Sequence, residues 1–165
     1  MPAILRMLLP VPALTRGEIM AGRIHLRIIT PLRILYNDDV DMVILRGEEG
    51  DMGILPGHEN RVAIMGYGPL RIFKNGTEED RLAVLGGFAE ILRDNVTVLS
   101  DAAEWTTEID RVRAEAAKAR AEERLQQKDS NTDMQRAELS LRRALVRIEV
   151  SSYPLIKGKF HSSSK

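Results

Sequence analysis

Four arginines in the last third of this 165-residue chain have spacings that suit a polyanion. Arg113 and Arg120 are seven residues apart, which puts them on one stripe if the segment is helical. Arg143 and Arg147 are four apart, one helical turn. A chain that folds back near residue 130 sets Arg147 near Arg113 and Arg143 near Arg120 in antiparallel register. Like charges one turn apart cost roughly 0.2–0.5 kcal/mol per pair, so an empty cluster is mildly self-destabilising. A polyphosphate reverses the sign, because a guanidinium makes bidentate, charge-assisted bonds to phosphate oxygens. The alternative is a solvated basic face with local partners, such as Glu138 for Arg142. Spacing alone leaves both readings open.

Other chemistries have no residues to carry them. The histidines are His25, His58 and His161, without HExxH spacing, and there is no G-x-S-x-G elbow or Walker-type phosphate loop. The expectation is no catalytic residue and no metal site. With no cysteine, disulfides, thiolate nucleophiles and Cys-ligated zinc are excluded. His58 follows Pro56 and Gly57, a type II turn dipeptide, and reads as part of a structural turn. Asp38, Asp39 and Asp41 read as a solvated strand edge, since nothing nearby completes an oxygen cage. Equal numbers of basic and acidic residues, 24 of each, argue against a general nucleic-acid binder. A 44% apolar and 29% charged composition is that of a soluble globular chain.

Two kinds of element must position these residues. From residue 24 to about 99 the signals are those of an all-β unit. Ile24, Leu26 and Ile28 alternate with His25 and Arg27. Pro31 and residues 37–39 punctuate as turns, residues 40–45 read as a strand, and Asn75-Gly76 is a hairpin signal. Gly86 and Gly87 suggest a bulge or close backbone approach, and residues 96–99 read as a last short strand. Many short strands indicate a sandwich or barrel. Residues 107–127 then have high helix propensity, with Thr106 or Thr107 as cap and Glu108 and Asp110 in the first turn. Residues 128–133 read as a polar turn. A second helix carries Met134, Ala137, Leu141, Ala144 or Leu145, and Ile148 as its apolar stripe, facing small residues Ala114, Ala117 and Ala121 of the first. The expected fold is therefore an all-β sandwich followed by an antiparallel two-helix hairpin. Its segments are a leader 1–22, a sandwich 23–104, a hairpin 105–152 and a flexible tail 153–165. The leader's apolar run is broken by Pro10 and Pro12, and Arg16-Gly17-Glu18 can be encoded by purine-rich codons just before Met20. That pattern is similar to a translated ribosome-binding site, so the native chain is expected to begin at Met20, the alternative being that the leader is a disordered segment.

The order of segments resembles the bacterial ATP synthase ε family, from about Ile24 to Tyr153. The pieces are IITP (28–31), YNDDVDMV (36–43), GILPGH (53–58), GGFAE (86–90) and DNVTVL (94–99), specific in combination and weak singly. The resemblance implies a non-catalytic subunit of a rotary F-type complex, peripheral on the cytoplasmic face of the plasma membrane and touching the membrane only through that complex. It implies a sandwich that clamps the γ shaft and rests on the c-ring, helping couple proton or sodium flow to ATP synthesis. It implies, further, a hairpin that extends toward the α and β subunits to inhibit ATP hydrolysis. No cofactor is required, and ATP enters as a regulatory ligand. The segment Ile109-Asp110-Arg111-Val112-Arg113-Ala114 is similar to the Ile/Leu-Asp-x-x-Arg-Ala signature of ε subunits that bind ATP in the folded hairpin. That likeness implies that Ile109, Asp110 and Ala114 face the adenosine, with Glu104 nearby, and that Arg113, Arg120, Arg143 and Arg147 face the phosphates. The competing classes are a free-standing coiled-coil adaptor, which leaves the sandwich unexplained, and a small nucleotide hydrolase, which lacks a phosphate loop and a base–nucleophile pair.

Overall fold

Ile24, Leu26 and Ile28 are fully buried and alternate with more exposed neighbours, so the first strand, β1 (Ile24–Ile29), turns one face to a core. The computed structural model describes residues 22–127 and 133–153; the expected leader up to residue 21, most of the expected polar turn (128–132) and all but the first residue of the expected tail lie outside the described residues. Seven strands follow: β2 (Ile34–Val40), β3 (Met42–Gly47), β4 (Gly50–Ile54), β5 (His58–Lys74), β6 (Thr77–Arg93), β7 (Asn95–Leu99) and β8 (Ala103–Trp105). After a 3-10 turn at Thr106–Glu108, the described residues add two helices, α1 (Arg111–Gln127) and α2 (Met134–Ser151).

The strands run in the order β2-β1-β7-β6-β5-β3-β4, with β8 added on β6. This path is a sandwich because β5 and β6 serve both layers. Their tips, around Leu70 and Leu82, pair with β3 and β8, whereas their outer ends, around Val62 and Glu90, continue into β7, β1 and β2. Between the layers lies an aliphatic core that includes Leu45, Ile54, Leu70, Ile72, Leu82, Ile91 and Val98, with Trp105 packed at its side. Each such side chain contributes roughly 1.5–3 kcal/mol on burial.

Several expectations are corrected here. Short strands were expected throughout, but β5 and β6 are 17 residues each, because they bend from one layer to the other instead of ending. Gly87 sits at that bend with φ +110°, and an added Cβ would lie 2.8 Å from the Ser100 Cα, so only glycine fits. Residues 37–39 are not a turn but the second half of β2, pairing with Arg27, Leu26 and His25. An edge strand tolerates their polarity, and His25 Nδ1 lies 2.8 Å from Asp39 Oδ1. The expected strand 40–45 is broken at Asp41, whose buried carboxylate accepts from Gly76 N at 3.4 Å and faces Arg23 at 3.8 Å. Residues 96–99 are not the last strand, since Ala103–Trp105 adds to β6. The Asn75-Gly76 hairpin forms as expected, both residues with positive φ. So does the turn at Pro56 and Gly57, closed by His58 N donating to Leu55 O at 3.2 Å.

The first helix begins four residues later than its propensity suggests. Thr106 and Thr107 lie in the 3-10 turn, where Glu108 accepts from Trp105 N at 3.0 Å, and the cap of α1 is Asp110. In α2 the residues facing α1 include Ala137 and Ala144, but Met134 and Leu145 are exposed, and Val146 and Val150 form a second buried face. That second face packs on Ala83 and Leu85 of β6, beside Tyr67, Ala102 and Ile109. The hairpin thus lies folded against the outer side of the β3–β5–β6–β8 layer.

Candidate functional site

The IDRVRA segment has a local reason for its residue types. Asp110 Oδ1 accepts from Arg113 N at 2.9 Å, and Asp110 O accepts from Ala114 N at 3.0 Å, a helix N-cap. Ile109 and Ala114 flank that cap at the two positions that pack together in a hydrophobic staple. Ile109 is extended, with φ −79° and ψ 116°, and joins the apolar patch under α2, while Ala114 is buried. One Asp110 oxygen is therefore engaged in holding the helix start.

Ala114 and Ala121 of α1 and Ala137 and Ala144 of α2 are buried along the helix seam. Arg111 Nη1 donates to Ser152 Oγ at 3.0 Å, which brings the start of α1 to the end of α2. Arg113, Arg120 and Arg143 each precede a seam alanine by one residue. An antiparallel pair has its two-fold axis normal to the plane of the helices, so equivalent positions beside the seam project on the same side. By that geometry Arg113, Arg120 and Arg143 lie beside the seam on one side of the helix pair.

Arg147 goes elsewhere. It makes a bidentate ion pair with Glu104 on β8, Nη2 to Oε1 at 2.6 Å and Nε to Oε2 at 2.9 Å. The pair is half-buried, and the Glu104 carboxylate raises the Arg147 pKa above the ordinary arginine value. Arg143, one turn earlier, has its guanidinium carbon 5.8 Å from the centre of the Tyr67 ring. Arg113 and Arg120 are exposed and have no side-chain partner among the described residues. The local partner expected for Arg142 is also absent there: no Glu138–Arg142 pair forms, whereas Arg111–Glu115 at 2.8 Å and Lys118–Glu122 at 3.6 Å do form along α1. The contributions of Tyr67, Val146 and Val150 were not anticipated; the i, i+4 spacing of the two valines was the available signal.

Elsewhere, Val62 and Ile64 on β5 and Phe88 and Leu92 on β6 form an exposed apolar strip on the outer side of the other layer, with Ile64 directly opposite Phe88. Among the described residues, no helix is long and apolar enough to cross a membrane.

Comparison with known proteins covers both halves. The family model for the ATP synthase delta/epsilon chain beta-sandwich domain matches residues 23–106, and that for the delta/epsilon long alpha-helix domain matches residues 107–152. The ATP synthase epsilon chain of Halalkalibacterium halodurans is 49% identical over 129 residues, covering 78% of this chain and 96% of the relative. That of Bacillus velezensis is 47% identical, with the same coverages of 78% and 96%. Among solved structures, a chain of the Euglena gracilis mitochondrial ATP synthase, in an assembly of OSCP, F1 and c-ring, superposes with a TM-score of 0.69 at 25% identity, over 79% of this chain and 82% of that one. A chain from the Tetrahymena thermophila mitochondrial central stalk and c-ring shares the fold at a TM-score of 0.52 and 12% identity, over 79% and 98% of the two chains.

Proposed function

The chain belongs to the ATP synthase delta/epsilon family, as an epsilon-type, non-catalytic subunit of the F-type central stalk, and we propose that its hairpin is a movable arm whose folded position is favoured by bound ATP. The observation that carries this reading is the state of the arginines beside the seam. Arg113, Arg120 and Arg143 project on one side with no carboxylate partner among the described residues, and Arg147 reaches Glu104 one turn beyond Arg143. A triphosphate supplies the missing anion. The half-buried Ile109 and the Asp110 cap lie at the same end of α1 as Arg113 and offer an apolar and polar edge for the base. Because the site spans both helices and β8, it exists only while the hairpin is folded, so ATP shifts the balance toward that form by mass action.

With the hairpin extended, the basic residues Arg136, Arg142, Arg143 and Arg147 of α2 would meet acidic surfaces of the α and β subunits and oppose hydrolysis. The Val62–Ile64–Phe88–Leu92 strip, which the hairpin leaves uncovered, suits the γ shaft, and the sandwich rests on the c-ring at the cytoplasmic face of the membrane.

Calorimetry of ATP with the purified, nucleotide-free chain tests the ligand. Arg113→Ala and Arg143→Ala should each weaken binding by about 10- to 150-fold, the equivalent of roughly 1.5–3 kcal/mol for a charged hydrogen bond. Asp110 is a poor probe, since losing the cap alone costs about 1 kcal/mol. Absence of any binding at millimolar ATP would leave the arginines as the basic face of the extended arm and nothing more.

A further inference from the structure

We propose that Tyr153 and Arg81 form a clasp that holds the hairpin on the sandwich independently of any nucleotide. This rests on the reading of the hairpin as a movable arm and adds what sets its resting position. The guanidinium carbon of Arg81 lies over the Tyr153 ring, 3.3 Å from its centre, a cation–π contact. With the ring in place the Arg81 side chain is only 12% exposed, so the contact is largely shielded from water, where such contacts are strongest.

The platform is rigid because it is built inside the sandwich. Glu78 accepts from Arg81 Nε at 2.6 Å and, with its other oxygen, from Arg71 Nη2 at 2.7 Å and Nε at 2.9 Å. Arg71 and Arg81 are themselves directly paired across β5 and β6. The ring is placed by the end of α2, where Tyr153 N donates to Val150 O at 3.3 Å and Val150 is fully buried. Arg81 also touches the hairpin's entry, since its carbonyl accepts from Thr106 Oγ1 at 3.2 Å. One residue of β6 thus anchors both ends of the arm. Tyr153 is still 41% exposed, a contact that can open without breaking the core. None of Tyr153, Arg81, Glu78 or Arg71 belongs to the candidate ATP site, so the clasp acts when that site is empty.

Amide hydrogen exchange on the full nucleotide-free chain reads the opening of α2 against the sandwich as an internal standard. Tyr153→Ala should speed α2 exchange by about 2- to 30-fold, the range for a cation–π contact from exposed to desolvated, while β1 and β7 amides stay unchanged. Tyr153→Phe should behave as the parent chain. Tyr153→Leu, which keeps bulk but not the ring, should behave as Tyr153→Ala. Unchanged α2 exchange in Tyr153→Ala, or parent-like exchange in Tyr153→Leu, would overturn the clasp. Parent α2 amides that exchange no faster than those of β1 and β7 would instead overturn the movable arm on which it rests.

Discussion

Within the sandwich the buried side chains include Ile24, Leu26, Ile28, Leu70, Ile72, Leu82 and Ile91; along the helix seam they are the small Ala114, Ala121, Ala137 and Ala144. Each buried methylene is worth about 0.8 kcal/mol, so the layers of the sandwich are bound far more tightly per residue than the two helices are to each other. What fixes the hairpin on the sandwich is a short set of contacts: Val146 and Val150 on Ala83 and Leu85, the Glu104–Arg147 ion pair, and Tyr153 on Arg81. A half-buried ion pair and a partly exposed cation–π contact can be exchanged for water at modest cost. The difference is the one that the proposed division into a fixed bearing and a movable arm requires. Large aliphatics are kept where the structure must persist, and small or polar contacts where it must let go.

The strongest way to break that contrast is from the sandwich side. Leu82→Ala removes a fully buried side chain paired with Trp105 across β6 and β8 and should cost about 2–5 kcal/mol. Thermal melting followed by tryptophan fluorescence should fall accordingly, and the hairpin should lose its docking surface in the same transition. A smaller effect, confined to the arm, is expected of Val150→Ala. It should cost about 1–3 kcal/mol of docking from lost methyl groups and the cavity left behind, seen as faster α2 amide exchange with the sandwich melting point unmoved. The smallest is a pH effect at the base of the clasp. Burial of Glu78 works to raise its pKa, but the hydrogen bonds from Arg71 and Arg81 outweigh it and hold the carboxyl below its ordinary value of 4.5. A carboxylate with a depressed folded-state pKa stabilises above the unfolded value and loses that contribution as pH falls through the folded one. The sandwich should therefore lose that contribution to its stability in acid, as pH falls below about 4.5, and Glu78→Gln should remove that part of the acid sensitivity.

Much of the sandwich was legible where local chemistry dictates geometry. Asn75-Gly76 can hardly be anything but a tight turn, and the pairing of Gly86 with Gly87 marks the place where backbone passes Ser100 too closely for a side chain. The length of β5 and β6 was not legible, because a strand that changes layers swaps which face is buried midway and so looks like two strands. Residues 37–39 read as a turn because their polarity is tolerated at an edge, a tertiary fact that no local pattern carries. At the site, the i, i+7 spacing of Arg113 and Arg120 put both beside the seam. The partner of Arg147 could not be read from spacing, since Glu104 comes from a strand 43 residues earlier in the chain. Asp110 was attributed to the first turn, and its role as cap emerged only once the 3-10 turn displaced the helix start.

The most direct test of a fixed bearing with a movable arm is to assemble the rotary complex with a chain ending after Thr106 and compare it with the full-length form. That end keeps β8 and the Trp105 packing and removes both helices. Coupled ATP synthesis should persist while ATP hydrolysis rises above that of the complex with the full chain. Loss of synthesis, or hydrolysis rates indistinguishable between the two, would contradict the division of labour between sandwich and hairpin.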